Sequence, residues 1–212
     1  MDKLTHLLPI KHRQLYDWIH RRKPSYGHSD LRLGIIEPYI RRTTFDSVLD
    51  VGCGQGQVIR WLMEKYHPNR IMGVEISGAA LAKAKDLSSL GCLVQGKAQD
   101  IPFSDNSFDL VVCTDVLEHI PEEDVGKCLS EIVRVSRHDV LLEVHTSWAI
   151  EDLALRHSPW RGRSLHETQK KKRWWKEMIT SAGLEILDST PDREGQQSFV
   201  FQCICNPSGS VA

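Results

Sequence analysis

The segment Asp50-Val51-Gly52-Cys53-Gly54-Gln55-Gly56 closes a short apolar run with three glycines at alternate positions. Glycines so placed let the chain turn tightly and let a ligand approach the backbone with no Cβ in the way. A helix starting behind them leaves its first N–H groups unpaired and available. A dinucleotide loop spaces its glycines as G-x-G-x-x-G, whereas the spacing here is G-x-G-x-G with Asp50 in front. A carboxylate at Asp50 repels a pyrophosphate and suits a ligand carrying a cationic amino group, which disfavours NAD or FAD. A second acid, Glu75, ends the next apolar run, 21 residues beyond Gly54, where a carboxylate can accept hydrogen bonds from both hydroxyls of a ribose. Further along, Asp115, Glu118, His119, His145 and His166 are the residues able to carry protons or hold a ligand.

These residues need elements to hold them. Ser47–Gly52 reads as a buried strand, followed by a helix with Val58, Ile59, Leu62, Met63 and Tyr66 on one face. Arg70–Ile76 is a second strand, and Ser77 is the N-cap of a helix predicted over Gly78–Leu90, with Gly91 as its stop. Cys92–Ala98, Phe108–Thr114 and Val140–Thr146 are the third, fourth and fifth strands, with a helix opening at Pro121 between the last two. A helix is predicted from Thr168 as N-cap to Gly183, and two final strands are joined by a link short enough for an antiparallel hairpin. Strand–helix alternation implies right-handed crossovers and a mostly parallel sheet of seven strands with helices on both faces. Ligands then belong at the carboxyl ends of the central strands. One domain is expected over residues 1–212, with a helical cap at 1–44 and an insert at 147–168.

Composition narrows the field. The 212 residues carry 27 Lys+Arg against 28 Asp+Glu, a formal net charge of −1, which argues against wholesale polyanion binding. No apolar run approaches the ~18 residues needed to span a bilayer, and the first residues lack the apolar core of a signal peptide. The six cysteines are scattered with no C-x-x-C; reduced thiols and a cytoplasmic location are the expectation.

With those residues in place, the chain resembles the class I S-adenosylmethionine-dependent methyltransferases, in the type-11-like branch with many small-molecule enzymes. VLDVGCGQG matches the first motif of that family, GVEIS the second, and QDIPFSDNSFDLVVCTDVLEHI (Gln99–Ile120) the stretch through the third and fourth strands. The resemblance implies a three-layer Rossmann-like fold and S-adenosyl-L-methionine as methyl donor. By it, Gly52, Cys53, Gly54 and Gly56 form the methionine-side loop, positioned by Asp50. Glu75, with Ile76 beside it, binds the ribose. Asp100 contacts the adenine amino group with Ile101 next to the ring, and Asp115 lines the donor and acceptor side.

Methyl transfer from a sulfonium needs an aligned acceptor and, for an alcohol or phenol, a base. His145 at the end of the fifth strand is the first candidate, with Asp115 and His119 beside it. Asp115, Glu118, His119 and His145 together resemble the metal set of RNA 2′-O and catechol-type members, but Asp stands first where those relatives carry Glu, and no metal is expected. Tyr26, Trp148, Trp160, Arg161, Arg163 and His166 are the substrate-side candidates; their basic and aromatic character suits an acidic or phosphorylated small acceptor. The reaction implied is transfer to oxygen or nitrogen of a small or medium-sized acceptor. An RNA or tRNA methyltransferase, another enzyme using the same donor, and a non-catalytic donor-binding subunit remain alternatives, with nucleic acid not favoured and no membrane expected.

Overall fold

A computed structural model of the chain describes residues 12–22, 30–40, 44–145, 158, 164–191, 196 and 198–205. Two helices come first, α1 (His12–Arg22) and α2 (Asp30–Ile40), and then β1 (Ser47–Val51), α3 (Gln57–Tyr66) and β2 (Arg70–Glu75). Two short helices follow, α4 (Gly78–Leu81) and α5 (Lys85–Ser89), before β3 (Leu93–Gln95) and β4 (Phe108–Thr114). A single 3₁₀ turn at Leu117–His119 leads to α6 (Glu122–Val135) and β5 (Ser136–His145). The described chain ends with α7 (Lys172–Ser181), β6 (Leu184–Ser189) and β7 (Ser198–Cys205).

The seven strands form one sheet in the order β3-β2-β1-β4-β5-β7-β6. Every pairing up to β5 is parallel, and β7 runs antiparallel to both β5 and β6. The expected mostly parallel sheet with an antiparallel C-terminal hairpin is therefore the observed one. Period-two alternation fills both faces, which is why these strands read as continuous apolar runs. In β4, Val111 and Cys113 join Leu49, Val51, Leu142, Leu129 and Trp175 on the side of α6 and α7. Leu110 and Val112 join Val48, Leu141, Ile59 and Leu62 on the side of α2 and α3. After β1 the chain builds outward through β2 and β3, then returns to add β4 on the other flank. That reversal opens a crevice above the carboxyl ends of β1 and β4.

Three local expectations change. The helix predicted over Gly78–Leu90 is two helices, α4 and α5. Ser77 does cap the first, accepting from Ala80 N–H at 3.1 Å, but the chain tightens into i→i−3 bonds at Lys83 and Ala84. α1 grips this stretch: Asp17 accepts from Ser77 Oγ at 2.8 Å and from Ala79 N–H at 2.9 Å, and Lys83 donates to the His20 carbonyl. The helix predicted from Thr168 starts at Lys172 instead. Thr168 is tied to the turn after β4 instead, its hydroxyl donating to the Ile120 carbonyl at 2.6 Å and its N–H to the Glu118 carbonyl at 2.9 Å. The third strand keeps only Leu93–Gln95 of the predicted Cys92–Ala98, because the chain folds back through an antiparallel bridge between Lys97 and Asp100.

Candidate active site

The glycine loop is shaped by backbone bonds to β2. The N–H groups of Gly52 and Cys53 donate to the Val74 carbonyl at 2.7 and 3.1 Å. Gly52 sits at φ +76°, and a Cβ there would stand 2.2 Å from Val116 Cγ2, so only glycine fits. Gly56 is similarly required: at φ +80°, a Cβ on it would meet Leu87 Cδ1 at 2.2 Å. Gly54, by contrast, faces open space. Beneath the loop lies Glu75, 7% exposed, with Oε2 accepting from Gly54 N–H at 2.9 Å and Oε1 from Ser77 N–H at 2.7 Å. Burial lifts the Glu75 carboxyl above its ordinary value, opposed by those two N–H groups, which favour the charged form.

A cavity of about 530 Å³ opens over this loop. Asp50, Gly52, Cys53, Gly54, Gln55, Glu75 and Ile76 line one end, and Thr114, Asp115, Val116, His119 and Ile120 line the other. Gly96–Gln99 form a side wall. The roof is α1, which contributes His12, Arg13, Tyr16 and His20. Tyr16 meets the ring of His119 edge-on with centroids 5.9 Å apart. Leu15 and Ile19 of the same helix bury themselves with Leu165, and His12 pairs with Glu167 at 2.7 Å. A cap from the N-terminus and a segment beyond β5 thus meet over the cavity.

The far end gathers charge. Asp115, the first residue past β4, holds the left-handed conformation at φ 58°, a strained state that surrounding structure must enforce. Its N–H donates to the Glu143 carbonyl at 3.1 Å. Glu118 and Glu143 are fully buried. Burial pushes the Glu118 carboxyl up to about 8, with the neighbouring Asp115 carboxylate adding to the effect. His145 Nδ1 lies 3.0 Å from Glu143 Oε1 and 3.5 Å from Asp115 Oδ1. Desolvation pulls this imidazolium down, but Glu143, Asp115 and Glu118 outweigh it and hold the ring up at about 9.

The expected residues separate into three groups. Asp50, Gly52, Cys53, Gly54, Glu75, Ile76, Asp115 and His119 come together on the cavity wall. Gly56 shapes the turn from behind, and His145 stands behind Asp115 without lining the cavity. Asp100 and Ile101 do not line it either. The Lys97–Asp100 bridge leaves Asp100 exposed, and Ile101 turns down into the core beside α6, its N–H donating to Glu131 at 2.8 Å. His166, expected at the substrate, does not line the cavity itself but packs behind His119, which does, with ring centroids 4.8 Å apart. Tyr26, Trp148, Trp160, Arg161 and Arg163 lie outside the described residues. Sequence reasoning passed over Glu143 and the α1 residues His12 and His20. An acid buried in the apolar run of β5 was the available signal for the first.

A family model described as a methyltransferase domain matches residues 49–143. Chloroplastic tocopherol O-methyltransferase of Arabidopsis thaliana is 32% identical over 125 residues, covering 52% of this chain and 35% of that protein. Fatty-acid O-methyltransferase of Mycolicibacterium smegmatis is 34% identical over 92 residues, covering 42% of this chain and 33% of that protein. The chain therefore matches about a third of the length of these curated relatives. Among solved structures, magnesium protoporphyrin IX methyltransferase from Synechocystis, with bound S-adenosylhomocysteine, superposes with a TM-score of 0.63 at 16% identity. That superposition covers 92% of this chain and 97% of the other, and it shows a shared fold.

Proposed function

Residues 49–143 are a class I S-adenosylmethionine-dependent methyltransferase domain of the type-11 branch, and from that premise we propose that the whole chain methylates an oxygen or nitrogen of a small or medium-sized acceptor. The observation that carries the reading is one cavity with two unlike ends. The glycine loop, Asp50 and Glu75 suit a zwitterionic nucleoside, while a carboxylate–imidazole cluster suits an acceptor that must lose a proton. When bound, the donor supplies a methyl already activated by its positive sulfur, and S-adenosylhomocysteine is the product.

The fit can be read residue by residue. Gly54 leaves room for a ligand where a side chain would intrude. Glu75 has both oxygens fixed by backbone N–H groups on one side, and its remaining lone pairs are directed at ribose hydroxyls. Asp50, 2% exposed, supplies negative charge to the amino end of the methionine moiety. The adenine side of the cavity is formed by Gly96–Gln99, with Gln99 held by Asp124 at 3.4 Å. At the other end Asp115 and His119 face the acceptor. Its proton leaves toward Asp115 Oδ1, behind which stands the ring of His145. Tyr16 and the rest of α1 exclude water from the aligned pair.

Names of two relatives point to hydroxyl- or carboxyl-bearing small molecules as the acceptor class, in line with the O-methyltransferases of Arabidopsis and Mycolicibacterium. The test is a calorimetric titration with S-adenosylhomocysteine, followed by incubation of the protein with metabolite fractions and a deuterated-methyl donor. Saturable binding of the nucleoside and a labelled product in the mass spectrum are expected. A chain that does not bind the nucleoside at millimolar concentration is not a methyltransferase.

A further inference from the structure

Four ligand-bearing side chains converge beside the acceptor end of the cavity, Asp115 and His119 on its wall and Glu118 and His166 behind them. One atom each from Asp115, Glu118, His119 and His166 lies within 4.8 Å of all the others, and the last three residues are buried. Glu118 is at 0% exposure; its Oε1 accepts from His145 N–H, and its Oε2 meets no hydrogen-bond donor among the described residues. An unsatisfied carboxylate oxygen at that depth is costly. His119 Nδ1 donates to the Leu165 carbonyl at 2.9 Å. That bond makes Nδ1 the donor and turns Nε2 toward Asp115, 3.8 Å from its Oδ1. A second-nitrogen bond to a backbone carbonyl is the usual support of a metal-binding histidine.

The placement of His166 is also built rather than incidental. The chain on either side of it is stapled to the 3₁₀ turn that carries Glu118 and His119. Leu165 accepts from His119, and Thr168 donates its N–H to the Glu118 carbonyl at 2.9 Å and its hydroxyl to the Ile120 carbonyl at 2.6 Å. His145, which the linear pattern would have supplied, is engaged by Glu143 at 3.0 Å instead.

We infer that Asp115, Glu118, His119 and His166 bind one divalent transition-metal cation, of the Mn²⁺ or Zn²⁺ kind, beside the acceptor end of the cavity. Two carboxylates and two imidazoles suit such ions better than Ca²⁺ or Mg²⁺, which prefer all-oxygen shells. Ligands about 2 Å from a metal stand ~3–4 Å from one another, so side-chain rotation alone closes the cluster around an ion. The positive charge answers the crowding of Asp115 and Glu118 and the donorless oxygen between them. Given the methyl-transfer reading, on which this role depends, the cation would polarise an acceptor hydroxyl and ease its deprotonation. Binding of the cation itself stands apart from that reading.

The test uses the full-length chain stripped with a chelator and titrated with Mn²⁺, followed by loss of the free-ion electron paramagnetic resonance signal. One ion per chain is expected, displaceable by Zn²⁺, with Glu118→Gln and His166→Gln each weakening binding tenfold or more. His138→Gln, at the exposed opposite end of β5, leaves it unchanged. Circular dichroism identifies a variant that fails to fold, in which case the other decides. Absence of saturable binding of either ion at millimolar concentration, or equal affinity in wild type and folded variants, overturns the site. S-adenosylhomocysteine titrated into the same samples keeps the two readings apart: cation bound without nucleoside sinks the donor assignment alone, and nucleoside bound without cation sinks the metal site alone.

Discussion

The two ends of the cavity are made in different ways. The donor end is a backbone device: seven consecutive residues, Asp50–Gly56, turn above one carboxylate, and the bonds that fix it run from Gly54 and Ser77 N–H groups to Glu75. The acceptor end is a side-chain device assembled from separate stretches: the turn after β4, the segment before α7, and α1 overhead, with His145 at the end of β5 behind Asp115. Backbone sites demand particular residues at fixed spacing, because only glycine tolerates φ +76° with Val116 pressed against it. Side-chain sites demand only that the right groups arrive in space, from wherever the chain can bring them.

If that division is functional, the two ends should respond to mutation independently, and the largest effect belongs to the acceptor end. Asp115→Asn should lower turnover by ~10²–10⁴-fold, the span of a lost acid–base or ligand role. Its affinity for S-adenosylhomocysteine should stay within about threefold of wild type. Steady-state kinetics beside calorimetry decides the matter. A parallel collapse of nucleoside affinity would show that the ends are one site rather than two. Glu75→Ala should do the converse, raising the nucleoside dissociation constant at least tenfold, since lost ribose hydrogen bonds to a charged acceptor cost on the order of 1–3 kcal/mol. Turnover at saturating donor should move far less. Unchanged calorimetric affinity would remove Glu75 from the ribose.

A smaller effect is expected where α1 closes over both ends. Asp17 is the clasp, accepting from Ser77 Oγ and Ala79 N–H. Partial burial opposes its charge, but those bonds, with Arg21 and Arg13 nearby, hold its carboxyl below the ordinary value. Asp17→Asn should therefore cost about 1 kcal/mol and lower the thermal midpoint by ~2–4 °C. Because the folded-state pKa is depressed, the stabilisation is present above the unfolded value of 3.8 and is lost as pH falls through the lower folded one. Acidification below that point should lower the midpoint of wild type more than that of the variant. Equal acid sensitivity in differential scanning fluorimetry would mean that Asp17 does not clasp α1.

The same contrast explains what could be read from the chain without coordinates. The sheet, its hairpin and the donor loop were legible because alternation, strand-end glycines and the acid at Glu75 are local in sequence. The split between α4 and α5 was not, because it depends on α1 reaching across to Ser77 and Lys83. Thr168 has the composition of a cap, yet its hydroxyl is drawn to Ile120. The carboxylate–histidine set was expected to take His145, whereas the structure brings His166 to it, because the segment before α7 is stapled to the turn after β4, a tertiary fact with no local signature.

Asp100 gives the smallest effect and the sharpest test of how far a motif match can be carried. By resemblance it should hold the adenine amino group, and its removal should then weaken nucleoside binding about as much as loss of a charged hydrogen bond, on the order of tenfold. The structure turns the chain at the Lys97–Asp100 bridge, exposes the carboxylate and gives the cavity wall to Gly96–Gln99. An exposed side chain beyond contact distance is screened by water and salt, so Asp100→Ala should change S-adenosylhomocysteine affinity by less than about twofold. Gln99→Ala, which removes a side chain from the wall, should change it more. If calorimetry reverses that order, the carboxylate swings in when the nucleoside binds, and the donor end is not the rigid backbone device that its hydrogen bonds describe.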